Sequence, residues 1–410
     1  MAQNEMTAMR GMPLCVPSME YEGTSHLSST VPKRQDWSAN FNLQSEKGKS
    51  MSEVTRGMIV RVGVDLAKRV IQVYAVDANG RVVTCRVLAR DRFMTWCARL
   101  PRGCLVAMEA CSGAHHWARK LIALGLDARL IAASFVTPYR MEGRGGKNDA
   151  NDAAAVCEAA SRPKMRFVPV KSIDQQSVMS VHRLREGIKE ERTACICRIR
   201  GLLGEFGLVF PQSPKALRQM LPDVLEDASN EMGGMARLAL QRAQQQWEEL
   251  DKHMAWCDER VGAHVKNDTQ AKSAAKLHGI GPLTASASVA SVGDFKQFSS
   301  GSQFGAWLGI VPKQNSSGGK VSLGRITKRG DEYLRTLFIQ GAKSAVMTAH
   351  KRDDPISKWA VQLRERVGWQ KAAVALANKN ARILWAVMTK GERFDAHHVS
   401  VKPPVPTPAG

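Results

Sequence analysis

Two apolar runs of strand length, early in the chain, each end on a carboxylate. Asp65 closes Ile59-Val60-Arg61-Val62-Gly63-Val64, and Glu109 closes Leu105-Val106-Ala107-Met108. Strands of this composition are buried, and a carboxylate there is costly unless it is paired or meets a cation. The fold must therefore bring compensating groups to two strand ends. Residues 70–76 alternate loosely and residues 82–88 return, joined by Asp77-Ala78-Asn79-Gly80. Asn-Gly tolerates the positive φ values that a tight hairpin needs. Residues 128–132 read as a fifth strand, and residues 116–124 as a helix. Residues 148–160 are also helical, with Asn148 as the N-cap. Three strands in a meander, then alternating β and α, predict an α/β layer fold.

The second half reads differently. Residues 173 to about 206 carry Val178, Val181, Leu184, Ile188, Cys195, Ile199 and Leu202 at helical spacing. A second helical region covers about 235–265, beyond a Pro- and Gly-marked break at 211–234. The two can pair as an antiparallel hairpin or serve in oligomerisation. In Leu277-His278-Gly279-Ile280-Gly281-Pro282, Gly279 and Gly281 bracket one aliphatic residue. Such a turn between helices can present backbone N–H groups to phosphate. Residues 306–335 form a loop-and-hairpin region dense in Lys, Arg and Gly, and residues 356–388 are helical again. The expected order is a disordered extension (1–57), an α/β domain (58–165), a helical coiled-coil-like middle (166–265), a mostly α C-terminal domain with a helix-hairpin-helix-like element (266–392) and a disordered, proline-rich tail (393–410). Residues 1–57 are rich in Ser, Asn, Gln, Pro and Met without a sustained period, which predicts disorder. Met51 and Met58 precede the first strand, so translation can begin at either.

Charge narrows the partners. The net charge is +21 and the pI about 9.8. Residues 1–57 balance six basic against six acidic residues, so the folded part holds the surplus. A polyanion is the expected partner, since phosphate neutralisation dominates sequence-independent nucleic-acid affinity. No amphipathic basic helix with an aromatic face supports a membrane surface instead. No apolar run is long enough to span a bilayer, and no signal sequence is visible. Nine cysteines are scattered without a Cys-x-x-Cys pair, which fits neither zinc nor a disulfide framework. These features predict a soluble, cytoplasmic protein associated with the nucleoid.

Asp149 and Asp152 lie three apart in Lys147-Asn148-Asp149-Ala150-Asn151-Asp152-Ala153, on one helix face. Alone they are acids favoured by the helix dipole. With Asp65 and Glu109 they make a four-carboxylate set, in an element order that matches RNase H-like nucleases. Hard carboxylate oxygens suit Mg²⁺ or Mn²⁺. A pair of such ions can clamp the attacking and leaving oxygens of a phosphodiester. His115, His116 and His278 have no partner pattern, the first two opening a helix at the surface. Trp96, Trp117, Trp307 and Trp385 read as core.

The stretches Val62-Gly63-Val64-Asp65-Leu66-Ala67-Lys68, Met108-Glu109-Ala110-Cys111-Ser112-Gly113 and residues 147–153 resemble the RuvC-like DEDD domain of insertion-sequence one-ten family transposases. That family includes Piv-type DNA invertases and bridge-RNA-guided recombinases. The resemblance maps its metal-binding acids onto Asp65, Glu109, Asp149 and Asp152. Gly279-Ile280-Gly281-Pro282, Phe304-Gly305-Ala306-Trp307-Leu308-Gly309, Pro312-Lys313-Gln314-Asn315-Ser316-Ser317-Gly318-Gly319-Lys320 and Gly324-Arg325-Ile326-Thr327-Lys328-Arg329-Gly330-Asp331 resemble the family's C-terminal transposase domain. The likeness covers residues 58–390. It implies a catalytic serine at Ser317, with Ser316 as the alternative. It also implies a covalent phosphoserine bond to a DNA strand, which conserves energy for rejoining. Lys320, Arg325, Lys328, Arg329, Gly279 and Gly281 are the expected DNA contacts. The implied partners are element-end and target DNA, a guide noncoding RNA, and further copies of the chain in a dimer or tetramer. In that assembly the acids and the serine can come from different subunits, with the long helices building the oligomer. Two other readings remain: a metal-dependent junction nuclease that uses water, and a non-catalytic nucleic-acid-binding protein.

Overall fold

The computed structural model describes residues 58–140, 148–318, 320–391, 394–395 and 397. The expected N-terminal extension, most of the tail, Lys147 and Gly319 lie outside the described residues.

The N-terminal domain runs β1 (Arg61–Leu66), β2 (Val70–Val76), β3 (Val82–Ala89), α1 (Phe93–Cys97), β4 (Leu105–Glu109), α2 (Ala114–Ala123), β5 (Asp127–Ile131), α3 (Ala133–Val136), α4 (Asp149–Ala160) and β6 (Phe167–Val168). The sheet order is β3-β2-β1-β4-β5-β6. The meander β1-β2-β3 is antiparallel, as the Asn-Gly turn requires, whereas β1-β4 and β4-β5 are parallel. This is the mixed α/β sheet that the strand pattern predicts. One face packs Val62, Val64, Val106 and Met108 against Phe93, Trp96, Trp117 and Leu121. The other carries Ala107 and Ile131 under Ala155, Val156 and Ala159 of α4. Alternation along a strand puts residues two apart on one face. Gly63 and Ala107 thus lie on the α4 side, and so do Asp65 and Glu109. Val64 pairs with Met108 in register, so the two acids leave adjacent strands at the same end.

Gly63 is the tightest point of this layer. A Cβ there would lie 2.1 Å from the Ala153 carbonyl oxygen and 2.5 Å from the Cys157 nitrogen. Only a residue without a side chain lets α4 lie directly on β1.

Two long helices follow, α5 (Ile173–Gly204) and α7 (Gly234–Asn267), with α6 (Pro214–Glu226) between them. A capping box of Ser172 and Gln175 starts α5. Arg185 pairs with Asp258 at 2.6 Å and Arg198 Nη1 donates to Gln246 Oε1 at 3.3 Å. Rising numbers on α5 meet falling numbers on α7, so the pair is an antiparallel hairpin. Its core joins Ile188, Ile199 and Leu203 to Leu240, Trp247 and Leu250. The expected break at 211–234 is corrected by α6. Its Leu217, Leu221 and Leu225 are spaced by four and buried against the hairpin. Pro214 stands in the first turn, where its missing N–H costs nothing.

The C-terminal domain comprises α8 (Thr269–Ala274), α9 (Pro282–Val292), α10 (Gly301–Trp307), β7 (Pro312–Gln314), β8 (Leu323–Ile326), α11 (Glu332–Thr348), α12 (Pro355–Val367) and α13 (Trp369–Lys390). Its core includes Leu277, Ile280, Phe295, Phe304, Leu334, Phe338, Leu376 and Leu384. The helical region expected at 356–388 is two helices, divided at Gly368 with φ +82°. Trp96 and Trp117 are buried, and Trp307 and Trp385 pack on the C-terminal core. His115 is half-buried rather than a surface residue: its Nδ1 accepts from the Lys171 backbone N–H at 3.1 Å. Burial pushes its pKa down to about 4.

Gly63→Ala should cost at least about 2 kcal/mol of stability, because backbone rather than a flexible side chain would have to move. Urea denaturation checks this. An unchanged midpoint would mean that α4 is free to shift.

Candidate active site

The local sequence explains how the acids meet. The Asn148 side chain accepts from the Ala150 N–H at 3.0 Å, which starts α4 at Asp149 and puts Asp149 and Asp152 in its first turn. Close packing at Gly63 holds that turn beside the ends of β1 and β4. The Asp65 carboxyl is pushed above its ordinary value, first by burial and then by the charges of Asp149, Asp152 and Glu109. All four acids therefore lie in one electrostatic field.

A residue that the sequence did not flag completes the cluster. Arg140 follows a 3-10 turn (Thr137–Tyr139), and its N–H bonds the Thr137 carbonyl at 3.1 Å. Its Nη2 donates to Glu109 Oε1 at 2.7 Å, and its Nε lies 2.9 Å from Asp152 Oδ1. The second approach is an ion pair without hydrogen-bond geometry. Nothing in Pro138-Tyr139-Arg140 has a periodic or motif signal, and only a search for a cation to offset the acids would have found it.

The donor set suits a hard divalent ion, since every candidate ligand is a carboxylate. Among the described residues no three His, Cys, Asp or Glu side chains close on a shared metal position. The Arg140 guanidinium stands between Glu109 and Asp152, where a cation would bridge them. Cys111 is adjacent, and its thiol is pushed up by burial and by Glu109. A protonated thiol is a poor nucleophile.

The second candidate element is the loop between β7 and β8. Lys320 N–H donates to the Ser317 carbonyl at 3.0 Å, and Asn315 N–H to the Ser322 carbonyl at 2.9 Å. Ser316 Oγ accepts from the Ser322 N–H at 3.2 Å, whereas the Ser317 hydroxyl makes no hydrogen bond among the described residues. Lys320, Arg325, Lys328 and Arg329 are all exposed around it. The base of the hairpin is fixed: Thr327 N–H bonds the Val311 carbonyl and Lys328 N–H the Gly309 carbonyl. A Cβ on Gly330 would lie 1.8 Å from the Trp307 carbonyl oxygen.

The two glycines expected to present N–H groups behave differently. Gly281 is exposed and caps α9. Gly279 is spent on packing, since a Cβ on Gly341 of α11 would meet its carbonyl at 2.1 Å. The Ile280 N–H is used by the Leu277 carbonyl at 3.0 Å. Among the described residues no hydrogen bond or ion pair joins the hairpin serines to the four acids.

Known proteins share both halves. A DEDD transposase family model of the IS110 type matches residues 62–207, and a model described as "Transposase IS116/IS110/IS902 family" matches residues 271–356. A probable family 20 transposase of Pseudomonas aeruginosa is 46% identical over 331 residues, covering 80% of this chain and 97% of that protein. The transposase for insertion sequence element IS1111A of Coxiella burnetii is 39% identical over 333 residues, 81% of this chain and 90% of that protein. The transposase for IS1328 of Yersinia enterocolitica is 34% identical over 336 residues, 82% of this chain and 98% of that protein.

The raised Asp65 pKa has a measurable sign. Its folded-state value exceeds the unfolded one, so the associated stability is full below the ordinary 3.8 and is lost as pH rises through the folded value. Asp65→Asn should therefore stabilise the protein at neutral pH in chelator, with the gain vanishing below about pH 3.8. Denaturation midpoints across pH test this, and a variant less stable than the parent at pH 7 would contradict it.

Proposed function

The chain belongs to the IS116/IS110/IS902 family of insertion-sequence transposases, DNA-cleaving and recombining enzymes whose DEDD domain implies use of divalent metal, and on that premise we propose that it exchanges strands through a serine–DNA covalent intermediate. Asp65, Glu109, Asp149 and Asp152 hold Mg²⁺ or Mn²⁺, and Ser317 is the nucleophile. The observation that carries this reading is that Asp65 is pushed up by burial and by the charges of Asp149, Asp152 and Glu109, while Arg140 meets Glu109 and Asp152. The sheet order, a meander continued by parallel strands, supports an RNase H-like, RuvC-like assignment of the domain.

The chemistry divides between the two elements. Ser317 Oγ, without a hydrogen-bond partner among the described residues, forms the new bond to phosphorus and loses its proton. One bridging oxygen of the DNA strand leaves as a hydroxyl, and the phosphodiester energy stays in the phosphoserine ester. Attack by a different strand hydroxyl releases the serine and joins the exchanged strands. Divalent ions held by the acids would stabilise the charge that develops on the phosphoryl oxygens. Lys320, Arg325, Lys328 and Arg329 hold the backbone in register, and Gly281 offers the start of α9 to phosphate.

The absence of any bond between the serine loop and the acids among the described residues supports a shared site, with the acids from one subunit and the serine from another. Exposed Leu184, Met235, Leu238 and Trp256 on the α5–α7 hairpin support that hairpin as the contact of a dimer or tetramer. The net charge of +21 supports DNA and a guide noncoding RNA as partners. Among the described residues no helix is long and apolar enough to cross a membrane, in keeping with a place in the cytoplasm at the nucleoid.

Ser317→Ala and Asp149→Asn should each lower recombination by at least about a hundredfold. The assay is a denaturing gel of protein, labelled element-end DNA, target DNA, candidate RNA and Mg²⁺. A slow, protease-sensitive DNA band should appear with the parent and disappear with Ser317→Ala. Cleaved DNA lacking that band would identify a hydrolytic nuclease and sink the serine mechanism. A band retained by Ser317→Ala but lost in Ser316→Ala would move the nucleophile by one residue.

A further inference from the structure

The two ends of the carboxylate cluster are not equivalent. Asp65 and Asp149 have no ion-pair partner among the described residues, while Glu109 and Asp152 share one guanidinium. Arg140 cannot leave by losing its proton, because a guanidinium stays charged at any ordinary pH. It can leave only by moving. Its side chain is 36% exposed, against 20% for Glu109 and 14% for Asp152, so among the three it is the one most accessible to water. Its grip is one aligned hydrogen bond plus one misaligned ion pair, weaker than a bidentate fork. A partner fixed for stability alone would be expected to fork one carboxylate rather than straddle two from different elements.

We propose that Arg140 is the built-in counter-ion of the carboxylate cluster, a positioning residue exchanged for a divalent cation and so setting the affinity of the site for metal. This rests on the reading of the four acids as metal ligands. Before metal arrives, Arg140 keeps Glu109 at the end of β4 close to Asp152 of α4 and offsets their repulsion. Asp65 and Asp149, without an ion-pair partner among the described residues, are the half of the cluster that an ion meets first. Full use of all four acids then requires Arg140 to withdraw, so its charge competes directly with the ion. The freed guanidinium remains at the rim, just after the 3-10 turn that follows α3.

The test is Mn²⁺ titration of the full chain without nucleic acid, with free Mn²⁺ followed by electron paramagnetic resonance. Removing a unit charge at ion-pair distance from a half-buried site should tighten binding by about tenfold in Arg140→Gln. Arg140→Lys, a point charge that cannot span both acids, should tighten it by about threefold. The metal-free Arg140→Gln protein should also melt at a lower temperature, and added Mn²⁺ should restore more stability to it than to the parent. Equal or weaker Mn²⁺ binding in Arg140→Gln, with the parent binding normally, would overturn the exchange while leaving the metal site intact. Should Arg140→Gln fail to fold, equal binding by Arg140→Lys and the parent would overturn it as well. Mn²⁺ binding that Asp65→Asn leaves unchanged would instead overturn the ligand assignment and the exchange together.

Discussion

How closely α4 can approach β1 decides whether this protein has an acidic cluster at all. At residue 63 the helix backbone lies where a Cβ would be, 2.1 Å from the Ala153 carbonyl oxygen. Asp65 sits two residues further along the same face, and Asp149 lies four residues before Ala153 on the helix. Any extra separation at Gly63 therefore becomes extra separation between the strand acids and the helix acids. The alanines at 150, 153, 154 and 155 serve the same end, since small side chains let a helix settle on a sheet. What reads as a weak amphipathic helix is a spacer of minimal thickness.

The scaffold then has to hold like charges together. Burial and three neighbouring carboxylates disfavour ionised Asp65, which is an electrostatic cost carried by the fold. The layers on both faces of the sheet, with Phe93, Trp117 and Leu121 on one side and Val156 and Ala159 on the other, offset it by burying apolar surface. Arg140 lowers the cost further without removing it. A concentrated negative site within a chain of net charge +21 also divides labour. The basic surface attracts the polyanion, and the acidic cluster repels phosphate unless cations intervene.

Sequence carried those parts whose physics is local. Acid-terminated apolar runs, the Asn79-Gly80 turn and the Asn148 cap each act within a few residues, so the strands, their meander and the helix bearing Asp149 and Asp152 were legible. The α6 helix was not, because Pro214 and Pro222 read as breakers, whereas Pro214 stands in the first turn and Pro222 is carried inside a helix whose Leu217, Leu221 and Leu225 are buried by tertiary packing. The division at Gly368 is a local helix end inside a continuous apolar pattern: Gly368, at φ +82°, caps α12 with its N–H on the Arg364 carbonyl at 2.9 Å. Arg140 was invisible because it is 31 residues from Glu109, and only the fold makes them partners. Gly279 was legible as special but not for its actual role, since its contact with Gly341 is a tertiary one.

The serine hairpin shows the opposite economy from the acidic cluster. Its tip is exposed and carries charges of one sign, so nothing within the described chain holds the Ser317 hydroxyl. Its base is tightly specified. Gly309 and Gly330 bring backbone against backbone, the Asp331 side chain caps α11 by accepting from the Leu334 N–H at 2.9 Å, and Arg335 donates to the Lys328 carbonyl at 3.1 Å. Tyr333, one residue into that helix, meets buried His182 of α5 at 2.9 Å, and His182 in turn meets Ser286 of α9 at 2.8 Å. Burial and the nearby His264 hold the His182 pKa down at about 4, so this link is a neutral hydrogen-bonded one that neither salt nor ordinary pH loosens. The long hairpin α5–α7 is thereby coupled to the stem of the serine loop. An exposed tip on a rigid stem is suited to meeting a group from outside its own chain.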